Sequence, residues 1–223
     1  MIYPMKGYNY TGETPKGWIM AEKLDGIRAI WDGSQLWSKQ GNAINAPEIA
    51  AKLPQGIALD GELWAGRERF ERVLSALKSG DWPGVEFVAF DLIDTTMPAI
   101  ARRKALDALS VRSVSYELCQ GKRHLRKFED AIKAKGGEGV MIQKPSAKYQ
   151  HGRTTDLQKV KSVDVSEVAV SGWNGKSLDV MVGKLEFKVA MGAKPHHAKS
   201  KTTFVSHYGL TVNGIPRHAA LLA

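Results

Sequence analysis

At 223 residues, with 43% hydrophobic and 25% charged side chains, the chain can form one large packed core or two small ones, and its balance excludes a disordered or collagen-like polymer. No run approaches the roughly 18 consecutive apolar residues of a membrane-spanning helix, and the first twenty residues lack the basic start and apolar core of a secretory leader. A single cysteine, Cys119, excludes an internal disulfide and a cysteine-cluster metal site, while the net charge of +9 favours a polyanionic partner without by itself separating nucleic acid from an acidic membrane or a merely solvated basic face.

In chain order, residues 1–16 are rich in Gly, Pro and Tyr and read as an extended lead-in. GWIMAEKLDGIRAIWDG gives a short apolar strand, a polar break and an alternating strand. Ile27, Ala29 and Trp31 share one face of the second strand, and Arg28 and Ile30 the other. Asp32-Gly33 suits a hairpin turn, from which LWSKQGNAI returns. Pro47 opens a short helix through Leu53, ended by Pro54-Gln55-Gly56. IALDGELW is a strand with Asp60 and Glu62 on one face. RERFERVLSALKS is an amphipathic helix with Phe70, Val73, Leu74 and Leu77 as its apolar stripe. GVEFVAFDLI is a further strand, residues 98–110 and 123–135 read as helices, and GEGVMIQKP, LQKVKS and VSEVAVSGW as three more strands. Strands joined by both hairpins and helices, without a repeating βαβ unit, predict an α+β fold with antiparallel sheets. Beyond about residue 163 the helical pattern stops, and short alternating runs between glycines predict a small all-β barrel or sandwich. The expected division is therefore 1–163 and 164–223.

The chemistry concentrates at KLDGIR, residues 23–28. A lysine at the end of an apolar strand, beside a glycine turn, is held in place, and its deprotonated amine is a nucleophile. With phosphorus it forms a phosphoramidate, labile enough to pass the group on. Asp25 suits orienting that lysine or capping the local backbone, and Arg28 offers a planar fork for phosphate or carboxylate. Taken alone, these residues fit a charged surface hairpin equally well. Further pieces weigh against accident. Asp60 and Glu62 project together, Glu138 adds a third carboxylate beside Gly136-Gly137 and Gly139, and such oxygens suit Mg2+ bridging to phosphate. Lys159 and Lys161 alternate along a later strand and suit the charge on a transferring phosphorus. Residues 119–161 carry eleven Lys or Arg against four Asp or Glu, and residues 184–223 six against one, so the basic character lies mainly in the second half.

KLDGIR at 23–28, SKQG at 38–41, LDGELW at 59–64, FVAFDLI at 87–93, EGVMIQK at 138–144 and LQKVKS at 157–162 together resemble, in order and separation, the covalent nucleotidyltransferases and, within them, the ATP-dependent DNA ligases. LDGELWAGRERFE is similar to the small bacterial and phage-type ligases, which have a nucleotidyltransferase (adenylation) domain, expected here over 1–163, and an OB-fold domain, expected over 164–223. The resemblance implies that Lys23 is the adenylated nucleophile, with Asp25 among the catalytic residues and Glu22 and Leu24 beside it in the nucleotide site. It implies Arg28 on the phosphate side, Glu62 on the ribose, Phe90 stacked on adenine, Glu62 and Glu138 at the metal, and Lys159 and Lys161 on the α-phosphate. ATP and Mg2+, with Mn2+ as a substitute, follow from it.

The implied partner is nicked double-stranded DNA, expected on the basic surface of residues 119–161, the basic tail of the second domain and the Gly66–Arg69 loop, with Lys39, Arg67, Arg69, Lys144 and Arg217 as candidate contacts. Trp64 and Trp82 are further aromatic candidates, each with packing as its alternative use. Lys39 stands where these ligases usually carry arginine, which keeps the charge and loses the fork. A monomer without an obligate protein partner or a membrane is implied, working in a bacterial or phage-infected cytoplasm in replication, repair or recombination. RNA ligases and mRNA-capping guanylyltransferases share the covalent lysine; the GELW and EGVMIQK contexts favour a DNA ligase.

Overall fold

The computed structural model describes residues 3–160, 164–191, 201–207, 210–211 and 213–222. The chain divides into two compact units, Met1–Val160 and Lys161–Ala223.

The first unit contains, in order, β1 (Met5–Asn9), β2 (Ile19–Lys23), β3 (Ile27–Trp31), β4 (Leu36–Ser38), β5 (Ala43–Ile44), α1 (Pro47–Ala50), β6 (Leu59–Trp64), α2 (Phe70–Ser79), β7 (Glu86–Leu92), α3 (Ala99–Asp107), β8 (Tyr116–Leu118), α4 (Lys122–Lys133), β9 (Gly139–Gln143) and β10 (Gly152–Val160). They build two five-stranded sheets, ordered β5-β4-β3-β6-β7 and β1-β10-β9-β2-β8. The first is antiparallel throughout. The second departs from the expected antiparallel pattern at one edge, where β1 lies parallel to β10. The presumed lead-in is thus partly a strand. Gly7 permits this approach, because a Cβ there would stand 2.7 Å from the Leu157 carbonyl oxygen.

Local chemistry explains the other elements. The Asp32 carboxylate accepts from the backbone of Ser34 and Gln35, both at 2.8 Å, and from the Trp37 indole at 2.6 Å, which closes the β3–β4 hairpin. Gly33 supplies the positive φ that this turn needs. α1 is one turn long, shorter than the predicted run to Leu53, although Ile49 and Leu53 still enter the core. On α2, Val73 and Ala76 are buried while Leu77 is exposed, so the buried stripe lies closer to Ala76 than the sequence pattern placed it. β8 was not foreseen; three residues carry too little periodicity to be read.

Trp31, Leu36, Leu59, Leu63, Val73, Trp82 and Phe87 form the main core between the first sheet and the helices α1 and α2. Trp82 is buried, and its indole donates to the Asn45 carbonyl at 2.9 Å, so its place is in packing. The second sheet covers its outer face with α4, through Met20, Leu125, Ile132, Val140 and Ile142. Its inner face meets the first sheet through Ala21, Leu24, Val88, Phe90 and Tyr116.

The second unit is a five-stranded antiparallel sheet of β11 (Asp164–Trp173), β12 (Ser177–Val182), β13 (Leu185–Ala190), β14 (Thr202–His207) and β15 (Ala220–Leu221), ordered β13-β12-β11-β14-β15. Val168, Leu178, Val180, Val189, Met191 and Val205 are its core. No helix of the described residues is long and apolar enough to cross a membrane.

Candidate active site

The site forms where the ends of β2 and β9 meet the inner face of the first sheet. Lys23 closes β2 and lies in register with Gly139, the first residue of β9. Glu138 immediately precedes that residue, and the Lys23 ammonium donates to its carboxylate. Alternation along β2 directs Ala21 and Lys23 inward and Met20 and Glu22 outward. Lys159 on β10 is in register with Met141, which in turn pairs with Ala21, so Lys159 shares the inward face. Lys161 lies outside the described residues.

From the first sheet, Arg28 pairs in register with Glu62, and Glu62 with Val88. A register shift after Asp60 places Asp60 opposite Asp91 and Gly61 opposite Ala89, leaving Phe90 as the extra residue of a β-bulge. Bulges re-aim side chains, and Phe90 points into the inter-sheet cluster with Leu24 and Tyr116. The Arg28 guanidinium stands over the Phe90 ring, 5.3 Å from its centroid. Gly26 allows the loop carrying Asp25 to close on β6: a Cβ there would stand 2.3 Å from the Leu63 carbonyl oxygen.

Asp60 and Glu62 share a face, yet their surroundings differ. Asp60 is buried and grips Arg28 through two hydrogen bonds, one of them at 2.8 Å. It also accepts from the Tyr149 hydroxyl at 2.7 Å, and that hydroxyl accepts from the Met5 backbone at 3.2 Å. Burial and Asp60 raise the Tyr149 pKa, so it remains a donor. Asp60 outweighs burial at Arg28 and raises its pKa further. The sequence offered no sign of Tyr149, which sits in a loop without periodicity. The only hint was general: a buried tyrosine hydroxyl requires a partner.

Burial pushes the Glu62 carboxyl up to about 8, against the pull of Lys23 and Arg28, with Asp60 and Glu138 adding to the rise. The folded, metal-free protein therefore holds a proton that the unfolded chain releases near 4.5. Stability should fall as pH rises between these two values, because the folded state binds more protons there. Glu62→Gln stays neutral, so its melting temperature should vary less over the same window; parallel pH profiles for the two proteins would refute the assignment.

Among the described residues, no three His, Cys, Asp or Glu side chains gather into a metal cage. Mg2+ commonly takes one or two carboxylates and draws its other oxygens from water and phosphate. Glu62 and Glu138, in each other's electrostatic field around Lys23, fit that donor chemistry. Asp60 is occupied by Arg28 and Tyr149.

The remaining predicted residues are dispersed. Glu22 turns away from the inner face and is held by Arg67 through two hydrogen bonds of 2.8 and 2.6 Å. Lys144 pairs with Asp156 at 2.6 Å and stands over Trp18. Lys39 and Arg69 are exposed on loops of the first unit, and Arg217 belongs to the second unit. Trp64 is half-buried, with the Arg112 guanidinium over its ring.

No family model matches the chain. It is 30% identical over 236 aligned positions to a DNA ligase of Haemophilus influenzae, with 95% of this chain and 88% of that protein covered. A structure from a study of Lig E DNA ligases and their DNA binding with a minimal scaffold matches with a TM-score of 0.87 and 28% identity, covering 100% of this chain and 99% of the other. The Chlorella virus DNA ligase-adenylate shares the fold, with a TM-score of 0.61 at 19% identity and coverage of 100% and 97%. The architecture is that of a DNA-ligase scaffold, and the chain is an enzyme by that kinship. The chain belongs to the DNA ligase family.

Proposed function

We propose that the protein is an ATP-dependent DNA ligase that seals 5′-phosphate/3′-hydroxyl nicks in duplex DNA. The observation carrying this reading is the inward-facing Lys23, paired with Glu138 and set in the same field as Glu62 and Arg28, in a chain of the DNA ligase family. An adenylation domain over 1–163 would contain the first unit, and an OB-type β domain over 164–223 would fall within the second. The enzyme would act as a monomer.

In the first step the Lys23 amine forms an N–P bond to the α-phosphorus of ATP while the P–O bond to pyrophosphate breaks. An ammonium has no lone pair, so Lys23 must leave its contact with Glu138 and lose its proton before attack. A 5′-phosphate oxygen at the nick then takes the AMP, the N–P bond breaks, and lysine recovers a proton. Finally the 3′-hydroxyl attacks that 5′-phosphorus, loses its proton, and AMP departs.

Each displacement gathers negative charge on phosphoryl oxygens. Lys159, and Lys161 beyond it, would neutralise it at the α-phosphate. Arg28, fixed by Asp60 and Tyr149, would present its free edge on the phosphate side. Phe90 would offer its ring to adenine and Glu62 its carboxylate to the ribose. Glu62 and Glu138 would hold Mg2+, which supplies charge neutralisation on phosphate oxygens when bound.

The decisive assay offers a nicked DNA duplex with ATP or NAD+, in parallel with labelled ATP and GTP. Sealing with ATP and a label retained from ATP are expected. A label from GTP would favour a capping-type enzyme, and ATP labelling with sealing only of nicked RNA would favour an RNA ligase.

A further inference from the structure

We propose that the outward face of α4 is a phosphate-binding surface that holds one arm of the duplex beside the nick. This rests on the ligase reading and assigns it a surface that lies apart from the reacting residues. Lys122, Arg123, Arg126 and Lys127 are all exposed. The apolar side chains Leu125, Phe128 and Ile132 dock α4 onto the second sheet. At 3.6 residues per turn, the four cations fall on the opposite side of the helix.

Clustering on one helix face without a carboxylate partner among the described residues sets them apart from the paired cations of this unit. Arg67, Arg72, Arg102, Arg112 and Lys144 each have a carboxylate partner. Among the described residues none pairs with Lys122, Arg123, Arg126 or Lys127, although Asp130 follows Arg126 by one turn. On the flank, His124 faces Glu117 of β8 at 3.6 Å.

The order of charges also opposes helix stability. The first turn contains no acidic residue and no side chain caps it. Four cations crowd the end where the helix dipole is already positive, with like charges four residues apart, while Glu129 and Asp130 come later. Folding alone gives no reason for this order, whereas a polyanion laid across the face would remove the repulsion. Side chains four residues apart on a helix are spaced by roughly 6 Å, close to the spacing of successive phosphates on one strand.

Position ties this face to the site. α4 leads through Gly136-Gly137 directly to Glu138. Gly137 is packed so closely that a Cβ would lie 2.3 Å from Ile132 and 2.9 Å from the Glu22 carboxylate, which fixes the end of the helix against the catalytic strand. Measured along the axis, the four cations lie roughly 9 to 17 Å from that end, or about three to five base-pair steps. An acidic protein would lack the regular phosphate spacing, so the duplex is the fitting partner.

The test changes charge alone, in the full chain: Lys122→Gln, Arg123→Gln, Arg126→Gln and Lys127→Gln together, with Lys122→Gln and Lys127→Gln also made singly. Affinity for a nicked duplex is measured over a salt series. The log–log slope should become shallower by about 0.9 for each lost phosphate contact, and thus by up to about 3.6 for four. Shortening the arm on the α4 side to about two base pairs should bring wild type and variant together. Unchanged slopes in the quadruple and single variants would overturn the proposal. So would losses confined to anionic vesicles or to single-stranded RNA. Self-adenylation needs no DNA and should be equal in all variants. If wild type neither labels with ATP nor binds a nick, the ligase reading itself has failed, a result separate from unchanged slopes.

Discussion

Lys23→Ala should lower self-adenylation by on the order of a thousandfold or more, seen as loss of labelled protein after incubation with ATP and Mg2+. The magnitude follows because, among the described residues, no neighbouring group can replace the amine. Glu138, its partner, is a carboxylate, and the next inward lysine, Lys159, lies on β10 with β9 between them. Lys23→Arg should be equally inactive in this step, since a guanidinium keeps its proton, although it preserves a cation beside Glu138. A nick supplied with AMP already on its 5′-phosphate bypasses the N–P bond. Both variants should therefore still seal it, Lys23→Arg better than Lys23→Ala if the charge itself helps. Wild-type labelling in Lys23→Ala would place the nucleophile elsewhere. Failure of both variants on the pre-adenylated nick, together with a lowered melting temperature, would indicate lost folding rather than lost chemistry.

Strand periodicity made much of this site legible. The inward side chains of β3, β6 and β10 follow from alternation, and the Asp32-Gly33 hairpin from turn chemistry. Alternation says which residues share a face but not what meets them there. Asp60 and Glu62 look equivalent in LDGELW, yet Asp60 is taken by Arg28 and by a tyrosine 89 positions away. Lys23 and Glu138 are 115 positions apart, and only the β2–β9 register joins them. The bulge that re-aims Phe90 leaves no mark in FVAFDLI, because an inserted residue there looks like continued strand. β1 was hidden for a related reason: five residues with one glycine find their partner at the far end of the unit. Non-local pairing is what a period count over a short window cannot contain.

The largest stability effect should come from Arg102, beneath the site. Its side chain is fully buried on α3 and holds Asp91 through hydrogen bonds of 2.8 and 2.9 Å. It also donates to the carbonyls of Met97 at 2.8 Å and Ala147 at 2.9 Å, which binds α3 to β7 and to the loop before β10. Arg102→Met keeps the bulk but leaves the Asp91 carboxylate without its cation and removes the donor to the Met97 carbonyl, while the Ala147 carbonyl keeps the Ala99 N–H at 2.8 Å. Breaking a buried pair in this way costs about 3–5 kcal/mol, a large share of the 5–15 kcal/mol by which domains of this size are stable. Adding Asp91→Asn to Arg102→Met should recover part of that loss, because the uncompensated charge disappears. The neighbouring Arg103 provides the contrast. It too is buried, but burial lowers its pKa, its Nε and Nη1 meet no protein acceptor, and its guanidinium stands over the Tyr116 ring. Arg103→Met should therefore cost far less than Arg102→Met, although the two residues are adjacent on one helix. Urea unfolding followed by tryptophan fluorescence reads the comparison. Trp31 and Trp82 sit in the core of the same unit and report its loss. Equal destabilisation by the two substitutions would mean that volume, and not the ion pair, governs stability at this position.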